Sequence, residues 1–295
     1  MSEIERILTI KKKRYKKISY LSKLWKRIKN HLRQVFPIIY KIKQDSKRKV
    51  TFSGWGMTTN TTTPPWENKN LEENIIFQET QNNLINKVNE KAFQLTQFYH
   101  EDADYKKIIS ELQWRHYVVF NSVLKILKFT KEQETEINLV ECGVCDGLTI
   151  NFAMAACELK KAKYKSYLYD AWEDLSSLST DSSFNYKYLD IERAKLNLKN
   201  FSNKTIYNKG FIPNVFNKAN NPQKIHWLHI DLNSNHATKD SLEFFYDKIV
   251  ENGIILFDDY GGFEETRKIV DIFFENKKGH FMNLPTGQGI FYKKK

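Results

Sequence analysis

No stretch of this 295-residue sequence approaches the roughly 18 uninterrupted apolar residues that a membrane-spanning helix needs. The first residues carry Glu3 and Glu5 and lack the apolar run of a secretory leader, so a cytoplasmic protein without a signal peptide is expected. Cysteine is scarce: three, an odd count in so long a chain, read as reduced thiols rather than as a disulfide framework. Internal repeats are absent. Acid is scarce at one end only, since residues 1–50 hold 17 of the 47 Lys and Arg but 3 of the 35 acids. That segment carries +14 and the remainder −2, so the overall +12 belongs to an arm and is not the mark of a nucleic-acid-binding body.

What the chain does have is material for a core. With 41% hydrophobic and 14% aromatic residues it is not a disordered protein, and its length suits one large α/β domain with an appendage or two small domains. In residues 1–50, Leu21, Leu24, Trp25, Ile28, Leu32, Val35 and Phe36 form one apolar face, ringed by Lys23, Lys26, Arg27, Lys29 and Arg33 and interrupted at Pro37. A basic amphipathic helical arm is expected. It would lie on an anionic membrane surface as a peripheral contact, hold an acidic partner, or pack on its own domain or on a second subunit of a homo-oligomer. Residues 51–110 begin as a Gly-, Thr- and Pro-rich loop and continue as helix. Trp55, Met57 and Trp66 there suit a lid or substrate region, or tryptophans docked on the core.

Residues 111–295 are expected to form the catalytic domain. Leu112–Phe129 is apolar enough to pack on a sheet, with Trp114, Arg115 and His116 lining a pocket, packing in the core or pairing at the surface. Strands are expected at Ile137–Cys142, Ser166–Tyr169 and Thr205–Asn208, with helices through Leu159 and over Tyr188–Leu198. A helix at Glu264–Phe274 and a terminal pair around Phe281 and Gly289–Tyr292 close the chain. This alternation predicts a doubly wound α/β fold.

The centre of the pattern is Lys224–Gly262. Two apolar runs, Ile225–Ile230 and Ile254–Phe257, flank a helix-spaced set of Leu242, Phe245, Tyr246, Ile249 and Val250. A βαβ unit makes the two strands parallel neighbours, with their C-terminal ends on the edge where open α/β sheets bind ligands. Asp231 follows the first run, and Asp258 and Asp259 follow the second. A lone acid at a strand end is ordinarily a cap or a solvated surface group. Three on one edge repel unless a cation sits among them or some stay protonated.

A second motif is Val140-Glu-Cys-Gly-Val-Cys-Asp-Gly147. A glycine-bearing turn between a first strand and its helix lets a ligand approach the backbone. Only G-x-x-x-G of the dinucleotide fingerprint is present, while Asp170, ending the next strand, is placed to accept from the two hydroxyls of a ribose. The pair suggests an adenosine-containing cofactor that need not carry a pyrophosphate. Cys142 and Cys145 also form a C-x-x-C at a helix start, as in a thioredoxin-like redox site. Zinc lacks a second ligand pair at suitable spacing.

Glu141-Cys-Gly-Val-x-x-Gly147, Asp170-Ala-Trp-Glu, Leu228-His-Ile-Asp231, Phe257-Asp-Asp-Tyr-Gly261 and Leu284-Pro-Thr-Gly-Gln-Gly-Ile-Phe together resemble the macrocin O-methyltransferase family. These are class I S-adenosylmethionine (SAM)-dependent methyltransferases acting on sugar hydroxyls, and the resemblance covers about residues 110–295. It implies a Rossmann-like, mostly parallel seven-stranded sheet behind a helical N-terminal extension, with metal-assisted methyl transfer from SAM to a sugar or glycan-like small molecule. It further implies that Glu141, Gly143 and Gly147 border the methionine part of SAM, that Asp170 holds the ribose, and that Gly210 and Phe211 lie at the adenine. Asp231, Asp258 and Asp259 match divalent-metal ligands, usually Mg2+. Where several members carry a general-base aspartate this chain has Asn233, so the proton is left to Asp231, to His229 or His236, or to metal activation alone. The rival readings are an RNA methyltransferase recruited by the basic arm, an NAD(P)-dependent dehydrogenase, and a thiol redox protein.

Overall fold

The protein is seen in a computed structural model, which describes residues 64–89, 109–130, 136–173 and 189–295. The basic arm, Trp55 and Met57 lie outside the described residues. Seven strands form one sheet: β1 (Ile137–Cys142), β2 (Tyr164–Asp170), β3 (Thr205–Lys209), β4 (Ile225–Ile230), β5 (Ile249–Phe257), β6 (Gly279–Asn283) and β7 (Gly289–Lys293). Their order is β3-β2-β1-β4-β5-β7-β6, all parallel through β5, with β7 antiparallel to β5 and to β6. The doubly wound, mostly parallel sheet expected from the sequence is present, and its order reverses between β1 and β4.

Alternation along the strands explains the layers, since successive side chains of a strand point to opposite faces. Leu139, Leu168, Trp227, Ile254, Leu256 and Ile290 share one core with helices α1 (Glu72–Asn89), α2 (Gln113–Phe129) and α3 (Leu148–Leu159). Val140, Tyr169, Leu228, Ile255 and Phe257 share the other with α5 (Asn235–Phe245) and α6 (Glu264–Phe274). A short α4 (Ile191–Asn197) precedes β3, capped by Asp190, whose side chain accepts from the Glu192 amide. In α2, Val119, Phe120, Val123 and Ile126 are buried at the spacing of one helix face, each worth about 1.5–3 kcal/mol of apolar burial. That anchor fixes where the first turn of α2 projects. Among the described residues no helix is long and apolar enough to cross a membrane.

Two sequence expectations need correction. Ile249 and Val250 are not the end of the helix: α5 stops at Phe245, one 3-10 turn follows over Tyr246–Lys248, and β5 begins at Ile249, paired with Ile225. Trp66, offered as a lid residue, is buried against Phe77, Trp114 and Tyr117, so docking on the core is its role.

Candidate active site

The strand ends carry the site because the ladder continues one residue past each strand. The amide of Gly143 donates to Tyr169 O (2.9 Å), that of Asp231 to Cys142 O (2.9 Å) and that of Asp258 to Ile230 O (3.0 Å). Each acid is therefore held by the sheet itself, and carboxylate oxygens of Asp231, Asp258 and Asp259 lie within 4.8 Å of one another. They are the group that could hold a metal ion among the described residues, and His236 is not part of it. His236 sits exposed in the first turn of α5.

Around the three acids is a shell that sequence reasoning mostly missed. Arg115, in the first turn of α2, bonds Asp258 through Nη1, lies 3.7 Å from Asp259 Oδ1, and donates from Nε to Thr286 O (3.3 Å). Gln288, between β6 and β7, donates from Nε2 to Asp258 Oδ1 (2.9 Å) and accepts from the Thr286 hydroxyl. Arg115 had been weighed only as one of three pocket-or-core residues. Gln288 belongs to the closing motif of the family resemblance, a signal that gave no role.

Beneath the acids lies His229, fully buried, with Nδ1 2.8 Å from Glu141 Oε1 and Nε2 3.8 Å from Asp258 Oδ1. Burial alone would push the imidazole down, but the nearby carboxylates of Asp258 and Glu141 outweigh it and raise its pKa to about 10. Full burial and the bond to Glu141 both place His229 poorly for taking a proton from a substrate. His116, stacked on Phe152 at 4.3 Å, is driven the other way, to about 3, chiefly by burial, and packs as a neutral core residue.

The charges of the acids follow from the crowding. Burial and the carboxylates of Asp258 and Asp259 push Asp231 well above its ordinary value, and burial and Asp258 push Asp259 up to about 6. Asp258, although buried, is held far below the usual range by Arg115 and His229. So in the absence of a metal, Asp258 is paired, Asp231 tends to keep its proton, and Asp259 is mostly ionised at neutral pH. An all-oxygen set of three converging carboxylates fits a hard divalent cation such as Mg2+, which would replace those protons.

The glycine turn is built for the chain before it is built for a ligand. Gly143 has φ +84°, and a Cβ there would lie 2.0 Å from Asp231 O. Gly147, at φ +81°, opens α3, and a Cβ would strike Leu198. Gly143→Ala is accordingly expected to destabilise the fold by about 3 kcal/mol or more in a urea titration, since it combines left-handed strain with a backbone clash. Loss of under about 0.5 kcal/mol would show that the turn can open.

Asp170 takes the turn's remaining donors. Its Oδ2 accepts from the amides of Val144 and Cys145 (both 2.8 Å) and its Oδ1 from Trp172 (3.0 Å). The Gly147 amide goes to Val144 O (2.9 Å). A turn whose amides are spent internally offers little to a pyrophosphate, which disfavours the dehydrogenase reading. Asp170 has capacity left for about one further hydrogen bond, against the two ribose hydroxyls expected from sequence. Glu141 points its Oε1 at His229, while its Oε2 is buried without a partner and can accept from a bound cationic group. Gly210, with φ +150°, packs against Val215, and its neighbour Phe211 is 41% exposed, free to stack on a ring.

None of Cys142, Cys145 and Cys157 is in a disulfide, and burial raises the thiols of Cys142 and Cys157 far above the ordinary range. A redox centre needs an accessible, acidic thiol, so this arrangement counts against that reading.

Residues 140–260 match the family described as a methyltransferase domain. No curated protein sequence matches the chain. Among solved structures, the O-methyltransferase NovP is similar over 76% of this chain and 100% of its own, with a TM-score of 0.58 at 14% identity. The calicheamicin methyltransferase CalS11 aligns over 73% of this chain and 91% of its own (TM-score 0.46, 11% identity). The SAH-bound methyltransferase PaMTH1 of Podospora anserina aligns over 75% and 88% (TM-score 0.42, 10% identity). The fold shared with NovP and the strand order lead to one conclusion: the seven-stranded sheet with its flanking helices is like that of the Rossmann-fold class I methyltransferases, and residues 140–260 within it match a methyltransferase domain.

Proposed function

We propose that the protein is a metal-assisted O-methyltransferase that moves a methyl group from SAM to a hydroxyl of a sugar or glycan-like small molecule. The observation that carries this reading is the convergence of Asp231, Asp258 and Asp259 at the C-terminal edge of β4 and β5, beside the Gly143 turn. The likeness to the O-methyltransferase NovP supports a hydroxyl acceptor, and the sequence resemblance to the macrocin O-methyltransferases supports a sugar. Residues 111–295 are the catalytic domain in this reading, and residues 1–110 the arm and substrate region.

When bound, SAM supplies an electrophilic methyl group and the divalent cation a Lewis acid that lowers the pKa of a coordinated hydroxyl. The chain's own residues supply the rest. Glu141 Oε2 accepts from the ammonium of the methionine part, with Gly143 and Gly147 shaping the wall. Asp170 accepts from one ribose hydroxyl while holding the turn, and Gly210 and Phe211 face the adenine ring. Asp231, Asp258 and Asp259 would hold the cation, which would supply positive charge beside the acceptor hydroxyl at the edge of β4 and β5. Asn233 cannot take a proton and His229 is fully buried, so Asp231, just past the end of β4, is assigned both as ligand and as the acceptor for the hydroxyl proton. His236 is the alternative acceptor. His236→Ala should keep most of the parent's turnover, whereas a loss above about 100-fold would assign it the base.

Isothermal titration with SAM, and then with Mg2+, tests the reading. Binding of both is expected, with protons released as Mg2+ enters. Absence of SAM binding would overturn it.

A further inference from the structure

The cation position of the acidic site already has a tenant. Arg115 is a permanently charged, planar donor; it bonds Asp258, reaches to 3.7 Å from Asp259, and is braced by Thr286 O. Asp231, the third acid, makes no ion pair or hydrogen bond through its side chain among the described residues. The three acids are therefore unequally served: the guanidinium from α2 contacts the doublet directly and acts on Asp231 only through space. Arg115 is not a surface residue that wandered in. Its helix is fixed by four buried side chains, Val119, Phe120, Val123 and Ile126.

We propose that Arg115 is a resident counter-ion of the metal site, a positioning residue that keeps Asp258 and Asp259 aimed inward when no metal is bound and competes with a divalent cation for them. The inference rests on the metal-site reading above. It assigns the metal affinity to a balance: Asp231 draws the cation in, while the guanidinium holds back the doublet. A merely structural arginine would behave in the opposite way, because its loss would loosen the acids and weaken the site.

The test uses Mn2+ alone, read by the loss of the free-ion signal in electron paramagnetic resonance, on the full chain without SAM. Removing a unit charge within a few ångströms of the ligands should tighten binding, so Arg115→Gln is expected to bind Mn2+ about tenfold tighter or more. Arg115→Lys, which keeps the charge, should stay closer to the parent. Equal or weaker binding by a folded Arg115→Gln variant, beside a parent that binds, overturns the inference and spares the metal site. A parent with no Mn2+ site overturns both. Should Arg115→Gln fail to fold, the parent still decides: saturating Mg2+ should shift the Arg115 Nε–H resonance, assigned by its absence in Arg115→Lys. An unmoved resonance counts against competition.

Discussion

Replacing Asp258 and Asp259 together by Asn is expected to abolish divalent-cation binding and to slow methyl transfer by about 1,000-fold or more, while SAM binding changes by less than about threefold. The separation follows from the geometry. Asp258 and Asp259 lie past the end of β5, whereas the turn that faces the cofactor is tied to β1 and β2 through Gly143, Val144 and Cys145. Asn is close to Asp in shape and can still accept from Arg115 and Gln288, so the hairpin between β6 and β7 should stay seated on the site. What is lost is charge: one carboxylate of three remains, too little to hold a hydrated divalent ion against bulk water. Single-turnover rates with and without chelator, together with SAM titration, check this. A double variant that transfers methyl groups as fast as the parent would sink the metal role.

The parts of the site that lay on strand ends were legible in the sequence, and the parts brought by packing were not. Asp231, Asp258 and Asp259 announce themselves because each follows a short apolar run, and a parallel sheet aligns the ends of such runs. Arg115 does not, because nothing local says that the first turn of α2 reaches the edge of β5; burial of Val119, Phe120, Val123 and Ile126 decides that. The misplaced boundary at Ile249 has a local cause. Glu251-Asn252-Gly253 looks like the turn between a helix and a strand, yet it is a kink inside β5. Asn252 is left-handed at φ +62°, and the pairing with β4 shifts register between Ile225 and Trp227. Gly143 has a reason beside the approaching ligand that the sequence suggests: the first atom a Cβ would meet is the Asp231 carbonyl, 2.0 Å away. Asp170 shows the same economy, since a carboxylate expected to serve the cofactor first ties down the turn.

His229→Leu, which removes the imidazole buried between Glu141 and Asp258, is expected to cost about 3–5 kcal/mol of unfolding free energy, because it strands the Glu141 carboxylate, whereas Asp258 keeps Arg115 and Gln288. The pH dependence distinguishes this from loss of packing. The imidazole pKa is raised from 6.5 to about 10, so its stabilisation is fully present below pH 6.5 and is lost as pH rises through about 10. In chelator, the stability gap between parent and His229→Leu should therefore shrink steadily from pH 7 towards pH 10. Glu141→Gln should cost less than His229→Leu, and the double variant less than the sum of the two, as expected for groups in direct contact. Urea titrations across the pH series read both effects. A gap that stays constant with pH would mean that His229 is a neutral, hydrogen-bonded core imidazole. Asp258 would then be held ionised by Arg115 alone, and the coupling from the cofactor wall through Glu141 to the acidic edge would be steric and not electrostatic.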